Sequence, residues 1–107
     1  MTKRNKKGLE MDEVLQQTVD LMLSEEYKDR FKAEYYQLYQ RFIKLRKMLM
    51  KWDAHELDFV PDCPRGIYDM QLEFMYKYLS ILEMRAIVEE IEVEPVDLYT
   101  LHRLEIK

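Results

Sequence analysis

The chain has 107 residues, enough for one domain, and 17 Lys/Arg against 21 Asp/Glu give it a net charge of −4. The charge is uneven, because four of the cations and none of the acids lie in residues 1–9. The rest of the chain holds 13 Lys/Arg against 21 Asp/Glu, a net −8. An acidic body argues against binding to duplex nucleic acid, which needs a continuous basic surface. We expect the short basic leader to be disordered.

Several chemical classes are also disfavoured by what the sequence lacks. Cys63 is the single cysteine, so the chain has no internal disulfide and no thiolate metal cluster. His55 and His102 lie in different segments and form no paired metal-ligand motif. Gly8 and Gly66 are the only glycines, so no phosphate-binding glycine loop is present. No stretch approaches the roughly 18 apolar residues of a membrane helix. We expect a cytosolic protein without catalytic residues, metal or cofactor.

The predicted elements are all helical. A basic leader (1–9) precedes a single helical domain (10–94), and a C-terminal arm (95–107) follows it. Ser24 is a suitable N-cap for the second helix, and Asp62 or Cys63 can cap the third, with Pro64 near its first turn. The predicted helices cover about 10–23, 25–54 and 64–92.

Side chains at steps of three and four residues place one face of each long helix in contact with the other. On the second helix these are Tyr27, Phe31, Glu34, Leu38, Arg41, Leu45, Met48/Leu49 and Trp52. On the third they are Tyr68, Gln71/Leu72, Met75, Leu79, Leu82 and Ala86. Because the segment between them contains two prolines, it cannot continue a helix. The pattern predicts an antiparallel helical hairpin, preceded by a short helix.

A hairpin of this size buries only one contact face, so we expect further helices from a second protomer to complete its core. Eight Tyr and eight Met supply large side chains of the kind found at interfaces. The alternative is that these side chains fill an irregular core within one chain. The sequence therefore predicts a homo-oligomer.

Polar residues interrupt the predicted contact faces. Glu34 and Arg41 lie on the inner face of the second helix, and Gln71 and Arg85 lie on or beside that of the third. Antiparallel pairing brings Glu34 near Arg85, and a buried ion pair there would fix the register of the helices. In the alternative interpretation, Arg41 and Arg85 are ligands for an anion.

A cluster of aromatic and basic residues follows on the second helix. Tyrosine rings that stack on bases, next to cations that hold phosphates, are what a nucleotide site requires. The alternative is that the tyrosines are buried against a second protomer. The cluster comprises Tyr35, Tyr36 and Tyr39 beside Lys32, Arg41 and Lys44. Arg65, at the start of the third helix, is a further candidate for anion binding.

Two spaced motifs resemble those of a family of short helical-hairpin proteins of phages and prophages. They are Tyr27-x2-Arg30-Phe31-x2-Glu34-Tyr35-x2-Leu38-x2-Arg41-x2-Lys44-Leu45-x2-Met48-Leu49 and Gln71-x3-Met75-x2-Tyr78-x2-Ile81-Leu82-x2-Arg85. The resemblance covers residues 27–91. The hairpin is also similar, more loosely, to phage sponge proteins, which bind the cyclic nucleotide messengers of CBASS and Thoeris defence between protomers.

These resemblances imply a phage immune-evasion protein of the host cytoplasm that sequesters a cyclic nucleotide-type messenger without cleaving it. The alternative is a protein-binding inhibitor or adaptor, similar to an anti-CRISPR factor, which contacts a host defence protein through the acidic, Met/Tyr-rich surface. A third possibility is a small structural or regulatory phage protein without a small ligand. The candidate ligand-binding residues are Lys32, Tyr35, Tyr36, Tyr39, Arg41, Lys44, Arg65 and Arg85.

Overall fold

The computed structural model describes residues 15–93 as three helices with their connections, and that part contains no strand. Helix α1 covers residues 15–22, α2 is Tyr27–Asp53 and α3 is Arg65–Glu89. The all-α class predicted from the sequence is confirmed. The predicted leader, the C-terminal arm and the first residues of the predicted helix 10–23 lie outside the described residues.

The N-termini of the two long helices differ from those predicted. The N-cap of α2 is Glu26 rather than Ser24, although the Ser24 hydroxyl accepts a hydrogen bond from the Glu26 backbone N–H at 3.0 Å. The N-cap of α3 is Pro64, in extended conformation, and no side chain caps this end. The prediction of a cap from Asp62 or Cys63 was wrong, since proline with its fixed φ takes the position just outside the helix.

The C-termini of both long helices are closed by residues in the left-handed conformation. His55 (φ 61°) follows α2 and Glu90 (φ 58°) follows α3. In each case the next backbone N–H returns to a carbonyl five residues earlier: Glu56 to Lys51 and Ile91 to Ala86, both at 2.8 Å. This is the Schellman pattern, which satisfies carbonyls at a helix end. It ends α3 at Glu89, three residues before the predicted boundary.

The two long helices pack antiparallel through an aromatic and aliphatic core. Side chains of α2 and α3 at helical spacing meet along the hairpin, and Ile91 closes its end. The Tyr35 hydroxyl donates a hydrogen bond to the Glu83 carboxylate at 2.8 Å, and the Trp52 and Tyr68 rings lie 6.0 Å apart further along. The buried cluster is Phe31, Tyr35, Phe42, Leu79, Leu82, Ala86 and Ile91.

The predicted contact face of α2 was wrong in part. Glu34 and Arg41 are exposed, whereas Tyr35 and Phe42, each one residue further on, are fully buried against α3. One residue is a rotation of about 100° around the helix, so α3 packs on the aromatic side and the charged pair remains in water. The burial of two aromatic rings outweighs the desolvation of an ion pair.

The predicted Glu34–Arg85 pair is therefore not what sets the register. Glu34 accepts a hydrogen bond from the Tyr78 hydroxyl. Arg85 bonds to Glu89 at 2.9 Å and to the Tyr27 hydroxyl. On α3 the predicted apolar face is correct, while Gln71 beside it is exposed.

Helix α1 packs on a different side of α2, through a small polar contact. The buried Thr18 hydroxyl donates to the Leu15 carbonyl at 2.6 Å and accepts from the Gln37 side-chain amide at 3.0 Å. Ala33 of α2 is also buried, and its small side chain permits close approach. Helix α2 therefore lies between α1 and α3.

An arginine ties the end of α2 to the start of α3. The Arg65 guanidinium bonds to both carboxylate oxygens of Asp53, at 2.6 and 3.3 Å, and to Asp69 at 2.8 Å. It also lies over the Trp52 ring, 5.2 Å from the centroid. Bidentate pairing of this kind is geometrically specific. The contacts bring the two helix ends together across the α2–α3 connection, residues 54–64.

The core can be tested with Phe42→Ala. We expect this substitution to lower the free energy of unfolding by about 3–5 kcal/mol, because it removes a fully buried ring and leaves a cavity. The measurement is urea unfolding followed by circular dichroism. Phe59→Ala in the α2–α3 connection is the matched control, since Phe59 is exposed. Equal losses in the two variants would contradict the assignment of the core.

The Asp53–Arg65 ion pair predicts that the stability of the fold depends on pH. Hydrogen bonding to Arg65 lowers the pKa of Asp53 in the folded protein. A lowered folded pKa gives stability that is present above the unfolded value, about 3.9, and is lost as pH falls through the folded pKa. We expect Asp53→Asn to be less stable than the parent at pH 7, with a difference that shrinks below about pH 4. Urea unfolding across pH measures it.

The control for this prediction is Asp62→Asn, which changes an exposed carboxylate of the same connection. We expect it to leave the pH profile of the parent unchanged. A difference between Asp53→Asn and the parent that stays constant down to low pH would show that the ion pair is not the cause.

Candidate functional site

The larger cavity lies where α2 ends and α3 begins, and we call it the hairpin-end cavity. Its volume is about 550 Å³, within the range of small-molecule sites. Leu49 and Leu72, one from each long helix, supply part of its apolar lining. Its charged lining consists of Arg46, Lys47, Lys51, Arg65, Asp53, Glu56 and Asp69. Cations outnumber acids there, so this site differs in charge from the acidic body around it.

Arg65 is the most firmly positioned of these cations. Its hydrogen bonds to Asp53, and then those to Asp69, raise its pKa above the ordinary value, so it is charged throughout the accessible pH range. The same two carboxylates offset its charge. Arg65 therefore contributes a fixed planar group at the cavity wall, while net positive charge has to come from other residues.

That net charge comes from the last turns of α2. Lys47 and Lys51 are four residues apart, on the same side of the helix, and both are exposed. Within residues 15–93 neither lysine forms an ion pair. Arg46 is only 8% exposed and its guanidinium lies 5.6 Å from the Phe42 ring. Two lysines in water and a packed arginine form a cationic rim that suits a phosphate or carboxylate.

Trp52 and Tyr68 support the cavity wall from behind. Their rings meet edge to face at 6.0 Å, and the guanidinium of Arg65 covers the Trp52 ring. Stacking of this kind restricts the arginine. The tryptophan therefore helps to hold Arg65 in place, and the guanidinium occupies one face of its ring.

A smaller cavity of about 330 Å³ lies beside α1. It is lined by residues of all three helices, among them Met22, Arg41 and Tyr78. The charged groups nearby already have partners: Arg30 donates to the Ser24 carbonyl at 2.7 Å, and Glu34 accepts from Tyr78. Arg30 and Arg41 are both exposed cations at this cavity.

The structure divides the predicted aromatic and basic cluster. Tyr35 is fully buried and its hydroxyl donates to Glu83, so its ring is not exposed to a base in this structure. Tyr36 and Tyr39 are half-buried and pack against the core, with ring centroids 5.5 and 6.5 Å from that of Tyr35. Lys32 is half-buried on the same side of α2, four and seven residues before them.

The remaining predicted cations lie elsewhere. At about 100° per residue, Arg41 and Lys44 point roughly 160° and 140° away from Tyr39, so they cannot join it at one small ligand. Arg85 is at the opposite end of α3 from Arg65. Of the eight predicted residues, only Arg65 lines the hairpin-end cavity.

Arg85 takes part in an internal network with Tyr27 and Glu89. Its hydrogen bond to Glu89 raises the pKa of Arg85 and lowers that of the Glu89 carboxyl. The hydrogen bond from Tyr27 to Glu89, at 2.7 Å, raises the pKa of the tyrosine. The guanidinium also lies 4.9 Å from the Phe31 ring. These contacts connect the start of α2 to the end of α3.

Sequence reasoning missed the lysines of the hairpin-end cavity. Basic residues late in a helix are also expected from the helix dipole alone, so their presence in α2 does not indicate a site. The signal that could have found them is the antiparallel pairing itself, because the last turns of one helix adjoin the first turn of the other. Lys47 and Lys51 then come to lie near Arg65.

Residues 15–93 were also compared with the requirements of a metal site and of a membrane-spanning helix. No group of three or more His, Cys, Asp or Glu side chains is placed to hold a metal ion. None of the helices in this part combines the length and apolar character needed to cross a membrane.

Comparison with protein-family models gives a match to this chain. No curated protein and no solved structure matches the chain significantly. The family model described as Sequestin matches residues 25–87, which include all of α2 and nearly all of α3. The match covers more than half of the 107 residues and contains the hairpin and its cavity. The chain belongs to the Sequestin family.

Proposed function

We propose that this protein binds and sequesters a cyclic nucleotide-type second messenger of host defence, as a phage immune-evasion factor in the host cytoplasm. The family name supports a sequestering function. The nature of the ligand is inferred from the hairpin-end cavity, the observation that carries the proposal. A sequestering protein needs affinity for its ligand and no chemistry on it.

The charge of the cavity supports an anionic ligand. Lys47 and Lys51, late in α2, line the same cavity as Arg65 at the start of α3. A phosphodiester presents oxygens that lysine binds as a point charge and arginine binds through its planar donors. Because two carboxylates already hold Arg65, its side chain loses little conformational entropy when a ligand binds.

The shape and lining of the cavity support a ligand of nucleotide size. About 550 Å³ accommodates a small molecule, and Leu49, Met50 and Leu72 supply apolar surface beside the charges. The base would rest on this apolar surface while its phosphate contacts the lysines. A cyclic dinucleotide, with two phosphates, would bring one of them to each side of the cavity.

Binding without cleavage agrees with the groups at the site. Asp53 and Asp69, which could act as general bases, are both bonded to Arg65. No histidine or cysteine is among the residues that line this cavity. The lining therefore supplies cations for recognition and no evident nucleophile.

The test is calorimetric titration of the full chain with cyclic dinucleotides, cyclic trinucleotides and cyclic ADP-ribose isomers. We expect one class to bind, and we expect Lys47→Ala with Lys51→Ala to weaken it at least tenfold, about 1.4 kcal/mol. The control is Lys32→Ala with Tyr39→Ala, which changes the predicted aromatic cluster. Loss of binding in the control alone would move the site to that cluster, and no binding by any class would refute the proposal.

The alternative function is inhibition of a host defence protein by direct binding. It is favoured by a different observation, the exposed apolar side chains along α3. This function predicts no response to nucleotides and a defined complex with a protein of the infected cell. Copurification from infected cells distinguishes it from the messenger proposal.

A further inference from the structure

Helix α3 has a second apolar face, which we call the outer face of α3. Its six large side chains remain between 50% and 81% exposed in the described chain. They lie opposite the side on which Leu79, Leu82 and Ala86 pack against α2. The residues of the outer face are Ile67, Met70, Phe74, Ile81, Met84 and Val88.

The outer face follows a heptad repeat. From Ile67 to Val88 the apolar positions alternate in steps of three and four residues, and only Lys77 interrupts the series. The repeat extends over 21 residues, three complete heptads, or about 32 Å at 1.5 Å per residue. A helix that is apolar on two sides is normally covered on both. A strict heptad over this length is typical of coiled-coil packing against another helix.

We infer that a second copy of this chain covers the outer face, by antiparallel packing of α3 on α3 about a two-fold axis. The central position of Lys77 argues for this orientation. In parallel packing the two Lys77 side chains would face each other and repel. In antiparallel packing centred near residue 76, Lys77 lies opposite Phe74 of the second copy and next to its Glu73.

Contacts within one chain show that this local arrangement is chemically suitable. The Lys77 ammonium lies 5.5 Å from the Phe74 ring and 3.3 Å from the Glu73 carboxylate. An antiparallel dimer repeats both contacts between the chains, twice by symmetry. The same packing places Ile67 opposite Met84 and Met70 opposite Ile81, so all three heptads contribute apolar pairs.

The charge of α3 favours a second copy over a basic partner. Residues 65–89 hold three cations and four acids, so the net charge of α3 is −1. The chain after the leader has a net charge of −8. The contacting helices themselves therefore add little repulsion between two copies. A basic partner would gain little from contact with this face. The inference does not depend on the ligand proposed above, because it concerns a different surface.

The first test measures the molar mass of the full chain by light scattering at micromolar concentration. We expect a dimer of twice 13.2 kDa, and we expect Ile81→Glu to give a monomer with unchanged helical content. Val60→Glu is the control, because Val60 is 87% exposed in the α2–α3 connection. A monomeric parent protein, as expected if the C-terminal arm covers the outer face, would overturn the inference. A dimer that survives Ile81→Glu would also do so.

The second test fixes the orientation by oxidative cross-linking. Lys77→Cys and Val88→Cys are each made in a Cys63→Ser background, so each chain has one thiol. Near the two-fold axis the Lys77→Cys thiols are close enough for a disulfide, whereas those of Val88→Cys are about 37 Å apart along the helix axis. We expect cross-linking through the first position alone. Equal cross-linking through both would show parallel packing and contradict the proposed dimer.

Discussion

The contact of Tyr35 and Phe42 with Leu79 and Leu82 is the interaction on which the described structure depends. These four side chains are almost completely removed from water, and they fix both the rotation of α2 and the register of α3. Burial of apolar surface is the dominant favourable contribution to folding. Once this contact forms, the charged residues that share α2 with the aromatic rings are directed to other sides of the helix.

The arrangement of charges follows from that rotation. Because the aromatic side of α2 faces α3, Glu34 and Arg41 remain in water, and the arginines that bond between the two helices lie at the two ends of the hairpin. At one end Arg85 joins Tyr27 and Glu89. At the other, Arg65 joins Asp53 and Asp69, beside Lys47 and Lys51 of the hairpin-end cavity. The cavity is therefore a consequence of how two helix ends meet.

The two proposed surfaces serve separate tasks. The hairpin-end cavity offers cations beside apolar surface, suited to a small anion. The outer face of α3 offers a continuous apolar heptad, suited to another helix. A dimer formed through α3 would leave the cavity of each chain at an end of the assembly, so sequestering capacity would be two ligands per dimer. Self-association would then add stability to a small domain with limited buried surface.

Local sequence was sufficient for the helices and for their antiparallel pairing, because the apolar spacing and the prolines of the connection act within one segment. It also supplied the apolar face of α3 that packs on α2. It did not determine which side of α2 faces that helix, since aromatic and charged residues compete within about 100° of rotation and only packing decides between them. For the same reason the sequence alone did not place Tyr35 in the core between α2 and α3. Lys47 and Lys51 gained a role beside Arg65 only through tertiary structure, which brings residues from two separate helices to one cavity.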